Sequence, residues 1–447
     1  MFDPFLIRQA YVIQTTLAFL PPLAIQPDDL KPEWRWLSAF VKDLPPASPA
    51  AGLEIPPVGR IVPAREPAWL TDKLKFPATI NPKVIDTSGW SFNWLPGHLP
   101  AGANPSTTLY IHLYPFGIVS IILATAVGFE PGIDVDAFLH LLRRVTPPKS
   151  DPASKPVWLE IERPNFFAGV KVNLNSLAEM ILAQLQNVLF TTSAPGQIVR
   201  LEKGLETGYL DSYNGLVTDL VRVDPQSFQR ASHAAAFRGL VNLEPGWKQL
   251  GDPERLAKYQ NASAWTDWGD NAWHYAGGLN TVLWHNTLPK GRGRRKRRGF
   301  TWLVAHVAEL ARLEEVLYHY SCDFVIKPAY DHLLQLKQAK VKTLHPDNWP
   351  AQLQLNEWAR FWFVLANLPH DTLVSEDAKL IYASHAKSLG TDKRRKKFNE
   401  DLEKYRQQLS GYTTLGGDIL KIVETLGNVV KAVTTVTGFI SGFGAKK

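Results

Sequence analysis

The sequence predicts an α+β protein. A proline-rich N-terminal arm leads into a central mixed-sheet domain, and an all-helical C-terminal domain follows, ending in a helical hairpin. Three observations predict this. Seventeen of the 33 prolines lie in the first 105 residues. Runs of β-branched and aromatic residues alternate with helical periodicity over residues 107–243. From Phe300 onward helical spacing dominates. The chain then divides into residues 1–106, a largely irregular arm; 107–243, the sheet domain; 244–299, a Trp- and Gly-rich region with a basic loop; and 300–447, the helical domain.

Proline removes a backbone donor and breaks helices, so residues 21–106 are expected to be turns and short extended pieces. Leu53, Ile55, Val58, Ile61 and Val62 punctuate the stretch Leu44–Pro67, which favours an arm that packs on something. The N-terminal run MFDPFLIRQAYVIQTTLAFLPPLAI is interrupted by Gln14, carries Asp3 ahead of any basic residue and is followed by no A-x-A-like site. It reads as a core segment rather than a secretion signal. The one cysteine, Cys322, rules out an intrachain disulfide and a cysteine-based zinc site, and a lone thiol suits a reducing, cytoplasmic setting.

Thr107–Tyr114 and Phe116–Val127 read as a strand pair, with Pro115 and Gly117 where a bulge or tight turn falls. Asp134–Val145 reads as a helix with Phe138, Leu141, Leu142 and Val145 on one face. Val157–Ile161 and Phe167–Leu174 read as strands. Asn175–Phe190 reads as a helix with Asn175 as its N-cap. Residues 244–290 hold Trp247, Trp265, Trp268, Trp273 and Trp284 and receive no assignment. Thr301–Tyr320, Ala329–Val341, Leu353–Leu368 and Ser375–Leu409 carry helical periodicity.

The net charge of +7 is local. The run Lys290, Arg292, Arg294, Arg295, Lys296, Arg297, Arg298 supplies seven basic residues, leaving 42 against 42 elsewhere. With Gly291 and Gly293 inside it, the run reads as an exposed loop. Three roles compete for it: nucleic-acid phosphates, anionic lipid, or a solvated loop with neither. An exposed tip would also be a cleavage candidate. The second run, Lys393, Arg394, Arg395, Lys396, Lys397, opens a helix, where the dipole favours acids instead. It is expected on a solvated face.

Catalytic signatures are missing: there is no phosphate-binding glycine loop, no dinucleotide fingerprint, no H-E-x-x-H and no G-x-S-x-G. Cys322 beside His319 makes a thiolate–imidazole pair conceivable, but a small buried hydrophobe is the commoner fate of such a cysteine. His274 and His285 flank a glycine pair near Trp273 and mark the place where an enzyme pocket would lie. No catalytic residue, metal ligand or cofactor is assigned.

The sharpest pattern is C-terminal. Ile419, Ile422, Leu426, Val429, Val433, Val436, Ile440 and Phe443 alternate spacings of three and four without a break. The reverse side carries Thr, Ser, Asn and Gly, and the 20 residues Leu426–Ala445 hold one charge, Lys431. Gly416 and Gly417 separate this segment from the preceding helix, which gives the expected hairpin. The seam fits a helix packed on its own domain, a homo-oligomeric coiled coil, or a latent membrane segment. The expected function is that of a non-enzymatic effector, as in bacterial toxin or antiviral-defence systems. A protease or a partner protein would release its C-terminal helix to oligomerise or to act on a membrane. The alternative is a nucleic-acid-binding protein using both basic runs.

Overall fold

The computed structural model describes residues 5–20, 30–37, 53–55, 58–63, 73–75, 81–146, 157–163, 167–189, 215–224, 230–244, 247, 253–260, 265–268, 272–278, 280–285, 293–320, 327–340 and 372–409. The chain forms two compact units. The first gathers Met1–Asp72 and Ala78–Glu309, and the second Lys73–Pro77 and Leu310–Lys447.

The first unit is α+β, built on a large mixed sheet. Its strands are β1 (Leu6–Phe19), β2 (Glu54–Ile55), β3 (Gly59–Pro63), β4 (Lys83–Asp86), β5 (Ser91–Trp94), β6 (Ala103–Leu113), β7 (Ile118–Ile133), β8 (Leu159–Arg163), β9 (Phe167–Val172), β10 (Gly215–Asp224), β11 (Thr266–Asp267), β12 (Ala272–Tyr275) and β13 (Asn280–His285). Ten of them form one sheet in the order β11-β12-β13-β10-β1-β7-β6-β4-β3-β2, and β5-β8-β9 form a second. In the large sheet only the β10–β13 pair is parallel among the described strands. The helices of this unit are α1 (Val135–Val145), α2 (Leu174–Leu189), α3 (Arg230–Asn242) and α4 (Pro253–Gln260). The N-terminal half of α5 (Gly293–Tyr320) completes them.

The N-terminal arm is corrected by β1. Leu6–Phe19 is a central strand, paired with β7 on one side and β10 on the other. A strand covered on both faces loses the polar–apolar alternation that marks a half-exposed one, so its sequence gives a weak strand signal. Further along, the arm does pack: Ile55, Val58 and Ile61 are fully buried, with Leu53 against the same core. The sheet unit therefore unites segments that the sequence reading separated at 106 and 243.

The β6–β7 pair turns through Pro115–Gly117, where Gly117 takes a φ of 73°. Asp134 caps α1 by accepting a hydrogen bond from the Ala137 amide. For α2 the cap is Asn173, not Asn175. Asn173 Oδ1 accepts from the Ser176 amide while Ser176 Oγ accepts from the Asn173 amide, a reciprocal box that satisfies two orphan donors.

Alternation along the strands gives the sheet two different faces. One meets α1–α4 in apolar cores, which include Leu109, Ile111 and Leu113 of β6, Val12 of β1 and Leu216 and Leu220 of β10. Trp247, Trp265 and Trp284 belong to this side as buried core residues. The intervening residues, Tyr11, Tyr110, His112 and Asp219, face α5.

The second unit is helical in its described residues. It holds the C-terminal half of α5, α6 (Lys327–Gln338), α7 (Glu376–Leu389) and α8 (Thr391–Leu409). Lys73 joins it through an ion pair to Asp377 at 2.8 Å, and Leu74 through a bridge to Leu373. Ser375 caps α7 by accepting from the Ala378 amide. The helical periodicity over Ser375–Leu409 resolves into two helices, broken at Gly390, which takes a left-handed φ of 74° that favours glycine. The helix expected over Leu353–Leu368 and the C-terminal hairpin lie outside the described residues.

Candidate functional site

Helix α5 carries the chemistry of both units. Its middle is enclosed: Leu303, Val304, Val307, Leu310, Leu313, Val316 and Leu317 are buried. Four charged side chains sit among them, Glu309 (1% exposed), Arg312 (5%), Glu314 (0%) and Glu315 (2%). A buried charge is tolerated only when it is paired and hydrogen-bonded. The partners therefore define the site.

In the sheet unit, Glu309 is held by three side chains. His112 Nδ1 lies 2.9 Å from Oε1, and the Tyr114 hydroxyl donates to the same oxygen at 3.0 Å. His306, one turn earlier on α5, reaches Oε2 at 3.4 Å. The two imidazoles stack at 5.9 Å with 13° between their planes, and Trp302 packs edge-on against Tyr110 at 4.9 Å. Burial pushes the Glu309 carboxyl up, but the charge and hydrogen bond of His112, joined by those of His306, outweigh it and hold the group well below its ordinary value. The carboxylate thus stays ionised. Nearby, the Thr301 hydroxyl donates to the buried Asp219 carboxylate at 2.7 Å.

The helical unit neutralises its buried acids differently. Arg395 of α8 forms a salt bridge to Glu314, with its Nε 2.9 Å from Oε1, and Arg394 pairs with Glu315. The Tyr382 hydroxyl donates to Glu314 and accepts from Arg395 Nη2 at 2.9 Å. The Arg395 guanidinium also lies over the Tyr318 ring, 5.9 Å from its centroid. Burial lowers the Arg395 pKa, but Glu314, Tyr382 and Tyr318 outweigh it and hold the guanidinium well above its ordinary value. Burial and then the Glu314 charge raise the Tyr382 phenol. Burial lowers Arg312, and Glu315 works against that shift.

The basic runs thus divide. In the second run, Arg394 and Arg395 point inward to acids, which corrects the expected fully solvated face, while Lys393, Lys396 and Lys397 are exposed. The charge reversal at the start of α8 is compensated by its tertiary partners. In the first run, Gly293, Arg294, Arg295, Lys296, Arg297 and Arg298 form the opening turns of α5 instead of a loop. Arg and Lys are good helix formers, and the apolar helix that follows extends back through them. Lys290 and Arg292 lie outside the described residues, as do Cys322 and the seam residues Ile419, Ile422, Leu426, Val429, Val433, Val436, Ile440 and Phe443.

The Trp273 region contributes a different element. His274 is 1% exposed on β12, beside Leu283 of β13, and His285 pairs with Ala272 two residues along. Burial lowers the His274 pKa to about 4, which keeps the ring neutral near pH 7. Among the described residues no group of three or more His, Cys, Asp or Glu side chains is arranged to hold a metal ion. Among them, too, no helix is long and apolar enough to cross a membrane.

The sequence reading missed His112, His306, Glu309, Glu314, Glu315 and Tyr382. A signal for the glutamates existed. Ala, Val and Leu fill most positions between the acids of HVAELARLEEVLYHY, so a helix packed into a core there takes its acids with it. Apart from His306, one turn from Glu309, their partners are 68 to 197 residues away, where no local pattern points to them.

Fold and site together define an α+β protein with a mixed ten-stranded sheet, a separate helical unit and two buried ionic clusters on one long helix. Comparison with known proteins finds no match: no family model, no curated protein and no solved structure is similar to this chain.

Proposed function

We propose that the chain is a non-enzymatic effector, of the kind that serves bacterial toxin or antiviral-defence systems, whose C-terminal segment is held in check until a trigger frees it. The segment, residues 411–447, then meets an apolar surface, either another copy of the chain or a membrane. One observation carries the reading. Helix α8, the root of that segment, is held in the helical unit by ion pairs to buried acids, Arg394 to Glu315 and Arg395 to Glu314. Among its described side chains only Thr391 is fully buried. A grip made of charge is strong while complete and becomes costly when one partner is withdrawn, which suits a two-state restraint.

The favoured trigger is partner binding. Proteases cut most readily at exposed mobile tips, and from Gly293 the basic run has helical backbone instead. The chain is expected to be cytoplasmic before activation and membrane-associated after it. No cofactor enters the proposal.

Leakage of liposomes by a synthetic peptide of residues 411–447 tests it. Dye release is the expected result. No release from neutral or anionic vesicles, together with an unchanged number of chains per particle when 411–447 is deleted, removes both the membrane and the oligomer arms. Nucleic-acid binding is the competing proposal, kept in play by the outward Lys393, Lys396 and Lys397. It demands an affinity that falls steeply with salt.

A further inference from the structure

Helix α8 sorts its basic residues by direction. Arg394 and Arg395 turn inward onto Glu315 and Glu314. Lys393, Lys396 and Lys397 are exposed, and their spacing of three and four places them on one face of the helix. Lys396 is 80% exposed, and its ion-pair partner Glu400 lies 3.8 Å away in solvent. A pair so exposed is weak and easily exchanged for another anion. The inward arginine pairs fix the rotation of α8 about its own axis. The buried network therefore also decides that the lysines point outward.

We propose that this lysine face docks on anionic lipid headgroups and so sets residues 411–447 against a bilayer. The inference deepens the reading above and rests on it. The lysines call for a polyanion, and the chain that follows them selects lipid among polyanions. The three ammonium groups complement a negatively charged surface, and each basic residue near such a surface contributes about a fivefold gain in binding. The chain that follows α8 carries one charge in the 20 residues Leu426–Ala445. A polynucleotide would satisfy the lysines and offer nothing to that apolar seam, whereas a bilayer serves both.

The test uses the full-length chain and flotation with phosphatidylcholine vesicles, with and without phosphatidylserine. Binding is expected only with phosphatidylserine, and it should weaken as salt rises. The combined variant Lys393→Gln, Lys396→Gln, Lys397→Gln should lose about a hundredfold, from about fivefold per lysine. Replacing the same three lysines with arginine should retain binding. Lys379→Gln on α7, a residue paired with Glu376, should change nothing. Undiminished binding by the glutamine variant, or no binding by the wild type, overturns the proposal. So does lysine-dependent retention of a polynucleotide without vesicle binding. Lysine-dependent flotation alongside a 411–447 peptide that releases no dye leaves the docking face standing and removes the acting tail.

Discussion

Glu309 in the sheet unit and Glu314 in the helical unit are both carboxylates withdrawn from water on the same helix, yet they are neutralised in opposite ways. Glu309 is surrounded by two imidazoles and a phenol, which meet it through hydrogen bonds. Glu314 is met by a guanidinium that stays charged at every working pH, with a tyrosine closing the ring of contacts. The difference teaches that burial alone does not determine what an acid does. The sheet unit meets its acid with hydrogen-bonding rings, whereas the helical unit meets its acid with a fixed positive charge.

The largest effect should come from breaking the helical pair. Arg395→Met leaves Glu314 buried and unpaired, and the expected loss is about 3–5 kcal/mol in denaturant unfolding at neutral pH. Adding Glu314→Leu to the same chain should recover most of it, because an apolar pair replaces an ionic one at little net cost. If the single variant unfolds like the wild type, the pair is not a restraint.

Next comes His274, on the α5 side of the sheet. Its pKa is lowered to about 4 from 6.5, so the unfolded chain binds more protons between those values. The stability it contributes is present above about 6.5 and is lost as pH falls toward about 4, about 3 kcal/mol in all. His274→Phe should flatten that slope in unfolding midpoints taken across the window. An unaltered slope would place the titrating group elsewhere.

The smallest effect concerns Glu309. Its carboxyl is held below the ordinary value of 4.5, so the native state binds fewer protons and the stability it brings is lost only as pH falls below that value. Glu309→Gln keeps the shape but not the charge and should cost about 1–3 kcal/mol at neutral pH. Its acid dependence below pH 4.5 should be shallower than that of the wild type. Equal acid slopes in the two proteins would refute the assignment.

Much of the fold was legible. The β6–β7 pair, its Pro115–Gly117 turn, the Asp134-capped helix and the described helical residues from Thr301 onward all follow from local pattern, because period and capping are properties of neighbours. The candidate site was far less so. The run Lys393–Lys397 was visible as charge, but nothing local separates Arg394 and Arg395 from the lysines beside them. Their direction is determined by Glu314 and Glu315, about 80 residues earlier.

By itself, then, the amino-acid order determined the strand and helix character of segments such as 107–145, how charge is distributed along the chain and the apolar seam spaced through 419–443. Only the tertiary structure decided that Leu6–Phe19 lies at the centre of a sheet, that two arginines face acids while three lysines face water, and that Glu309 belongs to His112. The physical reason is range. Propensity and periodicity act over a few residues, whereas desolvated charges are satisfied by whichever partner the fold brings within about 3 Å.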